Sequence, residues 1–170
     1  MIVPRLADVL RYALLALLTA ALVSACGFRP RGSVELPKDF REIYVDAPIE
    51  IGDELEIFLD AGGASKTTNR SEADAVISVR NERYDQRVVS VDATTGKARE
   101  YELLYVLDFS IRAKDGSMLV PSERVVVRRI YIFDPTQVLG DTNQVALIRR
   151  DMRIDAAERI VRITESRLTN

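Results

Sequence analysis

A single stretch of alternating residues near the middle of the chain limits what this protein can fold into. From Tyr101 to Ile111 every second side chain is apolar, and alternation of this length is typical of a β-strand with one buried face. The apolar face consists of Tyr101, Leu103, Tyr105, Leu107, Phe109 and Ile111. The other face is mixed and consists of Glu102, Leu104, Val106, Asp108, Ser110 and Arg112. The first face is therefore predicted to form the core of a sheet.

Turn signals on both sides of this strand predict its neighbours. The loop 92–97 contains a glycine and connects it to an alternating run from Ala75 to Val91. On the other side, Asp115-Gly116 is a strong hairpin signal. It leads to a strand from Val125 to Phe133, which Asp134-Pro135 ends. Three consecutive antiparallel strands are therefore expected.

The first third of the mature chain predicts one strand and one helix. Glu42 to Asp46 alternates and is predicted to be a strand. Pro48 suits the first turn of a helix. The helix continues with apolar residues at helical spacing and ends at Gly62-Gly63. The polar segment 67–73 is predicted to be a loop.

The C-terminal segment predicts a long helix with two apolar stripes. Asp141, with Gln144 three residues later, resembles a capping box, and the periodic pattern continues to about Leu168. One stripe consists of Val145, Ile148, Met152, Ala156, Ile160 and Ile163. The second has a seven-residue spacing and consists of Leu147, Ile154, Val161 and Leu168. Since a surface helix normally needs one stripe, the second either packs on the first helix or faces a partner.

The order of these elements, β-α-β-β-β-α, predicts the fold class. An α+β domain of two layers is expected, in which two helices pack on one face of a four-stranded sheet. Residues 38–170 are long enough for this single domain and too few for two typical ones.

The N-terminal region is typical of an exported lipoprotein. Two arginines precede an uncharged run of 12 residues, Tyr12–Val23, which is the layout of a secretory signal and is too short to cross a membrane. The only cysteine, Cys26, follows Val23-Ser24-Ala25, and this motif resembles the bacterial lipobox. We therefore predict a cleaved signal peptide at 1–25, acylation of Cys26 with chains such as palmitate, and a lipidated leader at 26–37. The alternative is an ordinary signal that leaves Cys26 as a free thiol.

The residue after Cys26 bears on location. In Gram-negative sorting, aspartate at this position retains a lipoprotein in the inner membrane, whereas this chain has Gly27. We therefore expect a lipid anchor in the outer membrane, on its periplasmic side.

Composition and motifs argue against several functions. Residues 1–25 contain two of the 24 cationic and one of the 26 acidic side chains, so the mature chain carries a net charge of −3 and has no general attraction to nucleic acid. The chain lacks histidine, which is the usual imidazole base and the commonest metal ligand. It also lacks a G-x-S-x-G nucleophile motif and a glycine-rich phosphate loop. We therefore predict no enzymatic activity, no metal site and no cofactor.

Several short motifs follow one another along the mature chain. They are 26–32 (CGFRPRG), Leu36-Pro37, 99–103 (REYEL), 132–134 (IFD) with Leu139, 151–153 (DMR) and 156–160 (AAERI). In this order they resemble the lipopolysaccharide-assembly lipoprotein family, LptE. The resemblance implies a partner, the outer-membrane β-barrel LptD, which family members plug and whose assembly they assist. It also implies a part in lipopolysaccharide transport to the outer leaflet.

Two features depart from the family, and one of them concerns the ligand. The first helix is short, and relatives often place an arginine near the hairpin tip where this chain has 92–95 (DATT). Because lipid A carries phosphates, which lysine and arginine bind, the cations just beyond this tip, Lys97 and Arg99, are candidate ligand-binding residues. The alternative is that both are merely solvated. A rival function remains, that of a lipid-anchored auxiliary or ligand-binding subunit of a periplasmic lipid transporter.

Overall fold

The computed structural model describes residues 36–37, 39–132 and 138–168, with side chains from residue 143 onward in the last range. Within these ranges the elements are β1 (Glu42–Asp46), α1 (Ile49–Ala61), β2 (Ser65–Thr67), β3 (Ala75–Val91), β4 (Ala98–Ala113), β5 (Met118–Ile132) and α2 (Val138–Leu168). The predicted signal peptide, Cys26, the leader before Leu36 and Asp134-Pro135 lie outside the described residues.

The strands form one mixed sheet in the order β2-β1-β3-β4-β5. The short strand β1 runs parallel to both β2 and β3, because α1 carries the chain back across the sheet before the next strand begins. Strands β3, β4 and β5 are joined by hairpins and pair antiparallel along most of their length. The α+β class and the predicted order of the main elements are confirmed.

The predicted number of strands was wrong, since the sheet has five strands rather than four. The additional strand is β2, which includes the start of the segment 67–73 that was predicted to be a loop. Its residues pair in register with the first three residues of β1. A strand of three polar residues has no hydrophobic alternation, and only the backbone pairing with β1 defines it.

Strand β5 is longer than the sequence predicted, because it begins at Met118 rather than Val125. It contains Pro121, which cannot donate to a ladder, but β5 is an edge strand and tolerates proline. The pairing with β4 also shifts at this point, between Phe109 and Ile111. Further along, the Arg159 side chain of α2 donates to the carbonyl oxygen of Val126 at 3.1 Å. The Arg159 side chain therefore satisfies one backbone carbonyl of the edge strand.

Both helices pack on one face of the sheet, as predicted, and enclose the core. The apolar face of β4 is buried along its central part, where Leu103, Tyr105 and Leu107 are fully covered. The residues of both helices that pack against the sheet are Ile51, Leu55, Leu59, Met152, Ala156 and Ile160. Two ion pairs also connect the helices, Arg150–Glu54 at 3.7 Å and Arg153–Glu50 at 2.9 Å.

The predicted start of the last helix was wrong. Helix α2 begins at Val138, so Asp141 lies within its first turn, whereas an N-cap residue has non-helical backbone angles. Within the described residues, neither helix is long and apolar enough to cross a membrane.

Candidate functional site

A β-bulge in the middle of β3 places a carboxylate on the core side of the sheet. Arg80 pairs with Asp108 and Arg83 with Val106, so β3 has one more residue than β4 in this interval. Asn81 takes up the extra residue with a φ of 56°, a left-handed conformation in which asparagine is enriched. The side chain of Glu82 then reaches the core side of the sheet, where it meets Tyr105.

Glu82 belongs to a polar network between the sheet and both helices. The Tyr105 hydroxyl donates to Glu82 Oε1 at 2.6 Å, and the Tyr105 ring stacks on Tyr84 with centroids 4.6 Å apart. Arg153 of α2 donates to the Tyr84 hydroxyl at 3.2 Å and forms its ion pair with Glu50 at the start of α1. The network therefore fixes the middle of α2 against the bulge and against the first turn of α1.

Both tyrosines of this network ionise less readily than a free tyrosine. Burial raises the pKa of Tyr105, and its hydrogen bond to Glu82 raises it further. Burial also raises the pKa of Tyr84, although the hydrogen bond from Arg153 opposes the change. The sequence analysis missed this network, and the only signal for it was the polar pair Asn81-Glu82, which interrupts the apolar alternation of β3.

The outer face of the sheet, opposite the helices, carries cross-strand ion pairs. Arg87 lies 2.5 Å from Glu102, which is only 7% exposed. On the other side of β4, Arg124 lies 2.8 Å from Asp108. Hydrogen bonding from Arg124, assisted by Asn81, lowers the pKa of Asp108 to about 2. The mixed face predicted for β4 is thus a surface on which cations of β3 and β5 neutralise carboxylates of β4.

The predicted ligand-binding cations lie at the tip of the β3–β4 hairpin. Asp92 organises the loop by accepting hydrogen bonds from the backbone of Thr94 and Thr95, at 3.0 and 2.8 Å. These bonds, with that of the Thr95 backbone largest, lower the pKa of Asp92, and the charge of Arg99 contributes. Lys97 is exposed in the loop just before β4, and Arg99 is exposed at its second residue. The structure thus brings both cations to one tip, with Asp92 partly offsetting Arg99.

Next to this tip the sheet exposes a group of apolar side chains, which we call the distal patch. Its members are Val88, Val89, Val91, Ile130 and Ile132, each about half exposed or more. They lie on both faces of the sheet end: Val88 is opposite Tyr101, on the helix side, whereas Ile130 and Ile132 are opposite Glu102 and Glu100, on the outer side. The distal patch and the two cations thus lie at the same end of the sheet, where apolar side chains are exposed on both faces. The sequence analysis did not identify Ile130 and Ile132 as part of this surface.

The second stripe of α2 does not lie on one face. Leu147 is 64% exposed, whereas Val161 is fully buried and belongs to the core. Ile154 and Leu168 are partly buried. Because Val161 is buried, it cannot contact a partner directly. Partner contact stays a prediction only for Leu147, Ile154 and Leu168.

In the part of the chain that the structure describes, no cluster of three or more Asp, Glu, His or Cys side chains is arranged to hold a metal ion.

Three solved structures that share this fold are bacterial lipoproteins. Lipoprotein B of Nitrosomonas europaea is 29% identical with a TM-score of 0.65, and the match covers 80% of this chain and 88% of that one. Rare lipoprotein B of Shewanella oneidensis is 21% identical with a TM-score of 0.63, over 74% of this chain and 95% of that one. A minor lipoprotein of Acinetobacter baumannii is 20% identical with a TM-score of 0.62, over 75% and 92%. The chain therefore shares the α+β fold of these three proteins.

The sequence narrows this fold to one family. Residues 40–163 match the model of the LptE family, described as lipopolysaccharide-assembly. The chain belongs to the LptE family, and this membership assigns it a role in lipopolysaccharide assembly. No curated protein sequence matches the chain.

Proposed function

We propose that this chain is a non-catalytic lipoprotein, anchored to the outer membrane through Cys26. It plugs an LptD-type β-barrel, assists the assembly of that barrel and helps to deliver lipopolysaccharide to the outer leaflet. The observation that carries this proposal is the family match over residues 40–163. The lipoprotein descriptions of the structures that share the fold support the anchored form.

The outer face of the sheet supports a position inside a barrel. The interior of an outer-membrane barrel is polar, and an enclosed protein must present charges that are already neutralised or that find partners there. On this face Glu102 and Asp108 have their own arginine partners. Because these carboxylates are neutralised within the domain, the face can enter a polar lumen without leaving them unpaired.

Affinity purification from solubilised outer membranes tests the partner. The tagged, lipidated full chain is expected to retain one abundant β-barrel protein and to resist protease in that complex more than it does alone. Recovery of inner-membrane transport components without a barrel would instead support the rival function, an auxiliary subunit of a periplasmic lipid transporter. A tagged, unrelated outer-membrane lipoprotein serves as the control for nonspecific capture.

Replacing Cys26 with alanine is expected to abolish acylation and to release the chain from the membrane. Multiple acyl chains make dissociation negligible, whereas a protein without them depends on weak surface contacts. Metabolic labelling with a fatty-acid analogue, followed by membrane fractionation, measures both effects. A label that persists in Cys26→Ala would contradict the lipoprotein assignment.

Charge reversal at the hairpin tip, Lys97→Glu with Arg99→Glu, is expected to weaken lipopolysaccharide binding by the full mature chain. The phosphates of lipid A would lose two cations and meet two new anions, and the loss should be larger at low salt than at high salt. Binding titrations at two ionic strengths measure it. The matched control reverses two exposed charges on α2, Arg162→Glu with Arg167→Glu. Equal losses in the two variants would exclude a specific role for the tip.

A further inference from the structure

A second cationic site lies on the outer face of the sheet, at the end remote from the hairpin tip. There the structure contains an open cavity of about 230 Å³. Three cations from separate segments line it: Arg70 of the β2–β3 loop, Arg112 of β4 and Lys114 of the β4–β5 turn. Val76, the cross-strand partner of Arg112, also lines the cavity. Of the residues that line it, none is acidic.

Two carboxylates that neighbour the lining residues, Asp46 and Asp74, are engaged elsewhere. Asp46 lies 2.5 Å from Arg80, and Arg70 is more distant at 3.9 Å. Asp74 accepts hydrogen bonds from the backbone nitrogens of residues 41 and 42, each at 3.0 Å. The hydrogen bond from the backbone nitrogen of residue 42 is the largest cause of the lowered pKa of Asp74, and the charge of Lys114 also lowers it. Both carboxylates thus have other partners.

The two other cations that line the cavity, Arg112 and Lys114, are available for a ligand. Within the ranges that the structure describes, no salt bridge involves Arg112 or Lys114. Arg70 lies over the ring of Tyr44, 5.8 Å from its centroid, which orients its guanidinium along the outer face. The cavity therefore carries a local positive charge in a chain whose net charge is negative.

Size and lining define the class of ligand. The cavity of about 230 Å³ is smaller than typical pockets for drug-sized ligands. Its apolar lining is limited to Ala73, Val76 and Ala113, too little for an acyl chain. Arginine and lysine together bind phosphate through charge-assisted hydrogen bonds. A phosphate group, rather than a whole lipid, fits the cavity.

The position of the cavity points to the source of that phosphate. The chain enters the domain at the same end, where the Leu36 nitrogen donates to the Gly62 carbonyl at 3.0 Å. Asp74 connects this end to the cavity, because its carboxylate binds the start of β1 and its carbonyl accepts from the Lys114 nitrogen at 2.8 Å. Leu36 follows Cys26 by ten residues, which span about 36 Å at most. An acylated Cys26 would keep this end of the domain near the membrane surface.

We propose that Arg70, Arg112 and Lys114 form a site for the phosphate of a phospholipid headgroup, in the membrane to which the leader is anchored. The choice of a membrane source rests on the lipid anchor proposed above. The site is separate from the hairpin tip, at the other end of β4, and it would orient the domain on the surface before or during its association with a partner.

Vesicle binding by the full mature chain tests this site. The chain carries Cys26→Ala, so that acylation does not dominate, and the vesicles are phosphatidylcholine with or without phosphatidylglycerol. Arg112→Gln with Lys114→Gln is expected to weaken binding to the anionic vesicles by roughly thirtyfold, as for two cations at an anionic surface. The matched control, Arg162→Gln with Arg167→Gln, removes the same charge from α2 and should change binding only slightly. All four side chains are exposed, so the fold should persist, and thermal unfolding confirms it.

Three outcomes would overturn the proposal. Equal losses in the two variants would show that net charge alone drives binding, and full vesicle binding by Arg112→Gln with Lys114→Gln would exclude the cavity as a membrane-binding site. A parallel titration with inorganic phosphate separates the two sources: saturable phosphate binding that this variant loses, together with unchanged vesicle binding, would identify a site for free phosphate. The assay contains neither barrel nor lipopolysaccharide, and acylation is absent from every sample. Its failure is therefore distinguishable from failure of the proposed function.

Discussion

Replacing Val161 with glutamate is expected to destabilise the domain by about 4–5 kcal/mol, a large part of the 5–15 kcal/mol that is typical of a native domain. Val161 is fully buried in the core. A glutamate there must either bury an unpaired charge or become protonated at the cost of a strongly raised pKa. Urea denaturation of the full mature chain measures the effect as a lower midpoint with a similar slope.

The matched control uses the same substitution two heptads earlier on the same helix. Leu147 is 64% exposed, so Leu147→Glu should change the free energy of unfolding by about 0.5 kcal/mol or less. If Leu147 contacts the barrel, the same variant should weaken the affinity purification described above while leaving the fold intact. Similar stabilities for the two glutamate variants would contradict the burial of Val161.

This pair of residues shows why the role of the helix stripe could not be predicted from spacing. Residues seven apart drift by about 20° per heptad around a straight helix, so Leu147 and Val161 differ by about 40° in direction. In addition, α2 meets different neighbours along its length: Arg150 and Arg153 contact α1, whereas Arg159 contacts the edge strand β5. The same stripe is therefore exposed at one end and buried further on.

The long strands were predictable because their physics is local. The alternation from Tyr101 to Ile111 fixes which face of β4 is buried, and the turn signal at Asp115-Gly116 fixes a neighbour. Gly116 has a φ of 86° in the structure, a conformation that glycine adopts without strain. By contrast, β2 has no pattern of its own, and its strand conformation comes from pairing with β1.

The candidate sites were predictable only in part, because they are assembled by strand pairing. Lys97 and Arg99 are neighbours in sequence, and a turn signal was enough to place them at one tip. Ile130 belongs to the distal patch only through the pairing of β5 with β4. Likewise, Arg70 and Arg112 are far apart in sequence, and the sheet brings them to one cavity. No local pattern carries that information.

Deleting Asn81 is expected to leave the two faces of β3 unchanged, because Asn81 is the extra residue of the bulge. Without it, Glu82 lies opposite Leu107, between the pairs Arg80–Asp108 and Arg83–Val106. Residues 75–80 therefore keep their register against β4. Ile77 and Val79 stay buried, whereas a slip of one residue would exchange the two faces of the strand.

The expected loss is limited to the contacts of Asn81 and to the local twist that a bulge imposes. Its hydrogen bond to Asp108 contributes about 1 kcal/mol. The free energy of unfolding of the deletion variant, measured by urea denaturation, should therefore fall by only about 1 kcal/mol, and its far-ultraviolet circular dichroism should stay that of the folded domain.

Two substitutions at the same position separate register from side-chain chemistry. Asn81→Gly keeps the residue count and tolerates the φ of 56°. It loses the 2.8 Å hydrogen bond to Asp108, which retains Arg124, so its stability should fall by no more than about 1 kcal/mol. Asn81→Val also keeps the count but places a β-branched residue in the left-handed region, which costs about 1–2 kcal/mol. A deletion variant that is largely unfolded would show that the extra residue is needed for the register. The structure predicts that the deletion and Asn81→Gly are similar in stability and that Asn81→Val is the least stable, because only valine keeps the bulge while placing a branched side chain in its left-handed conformation.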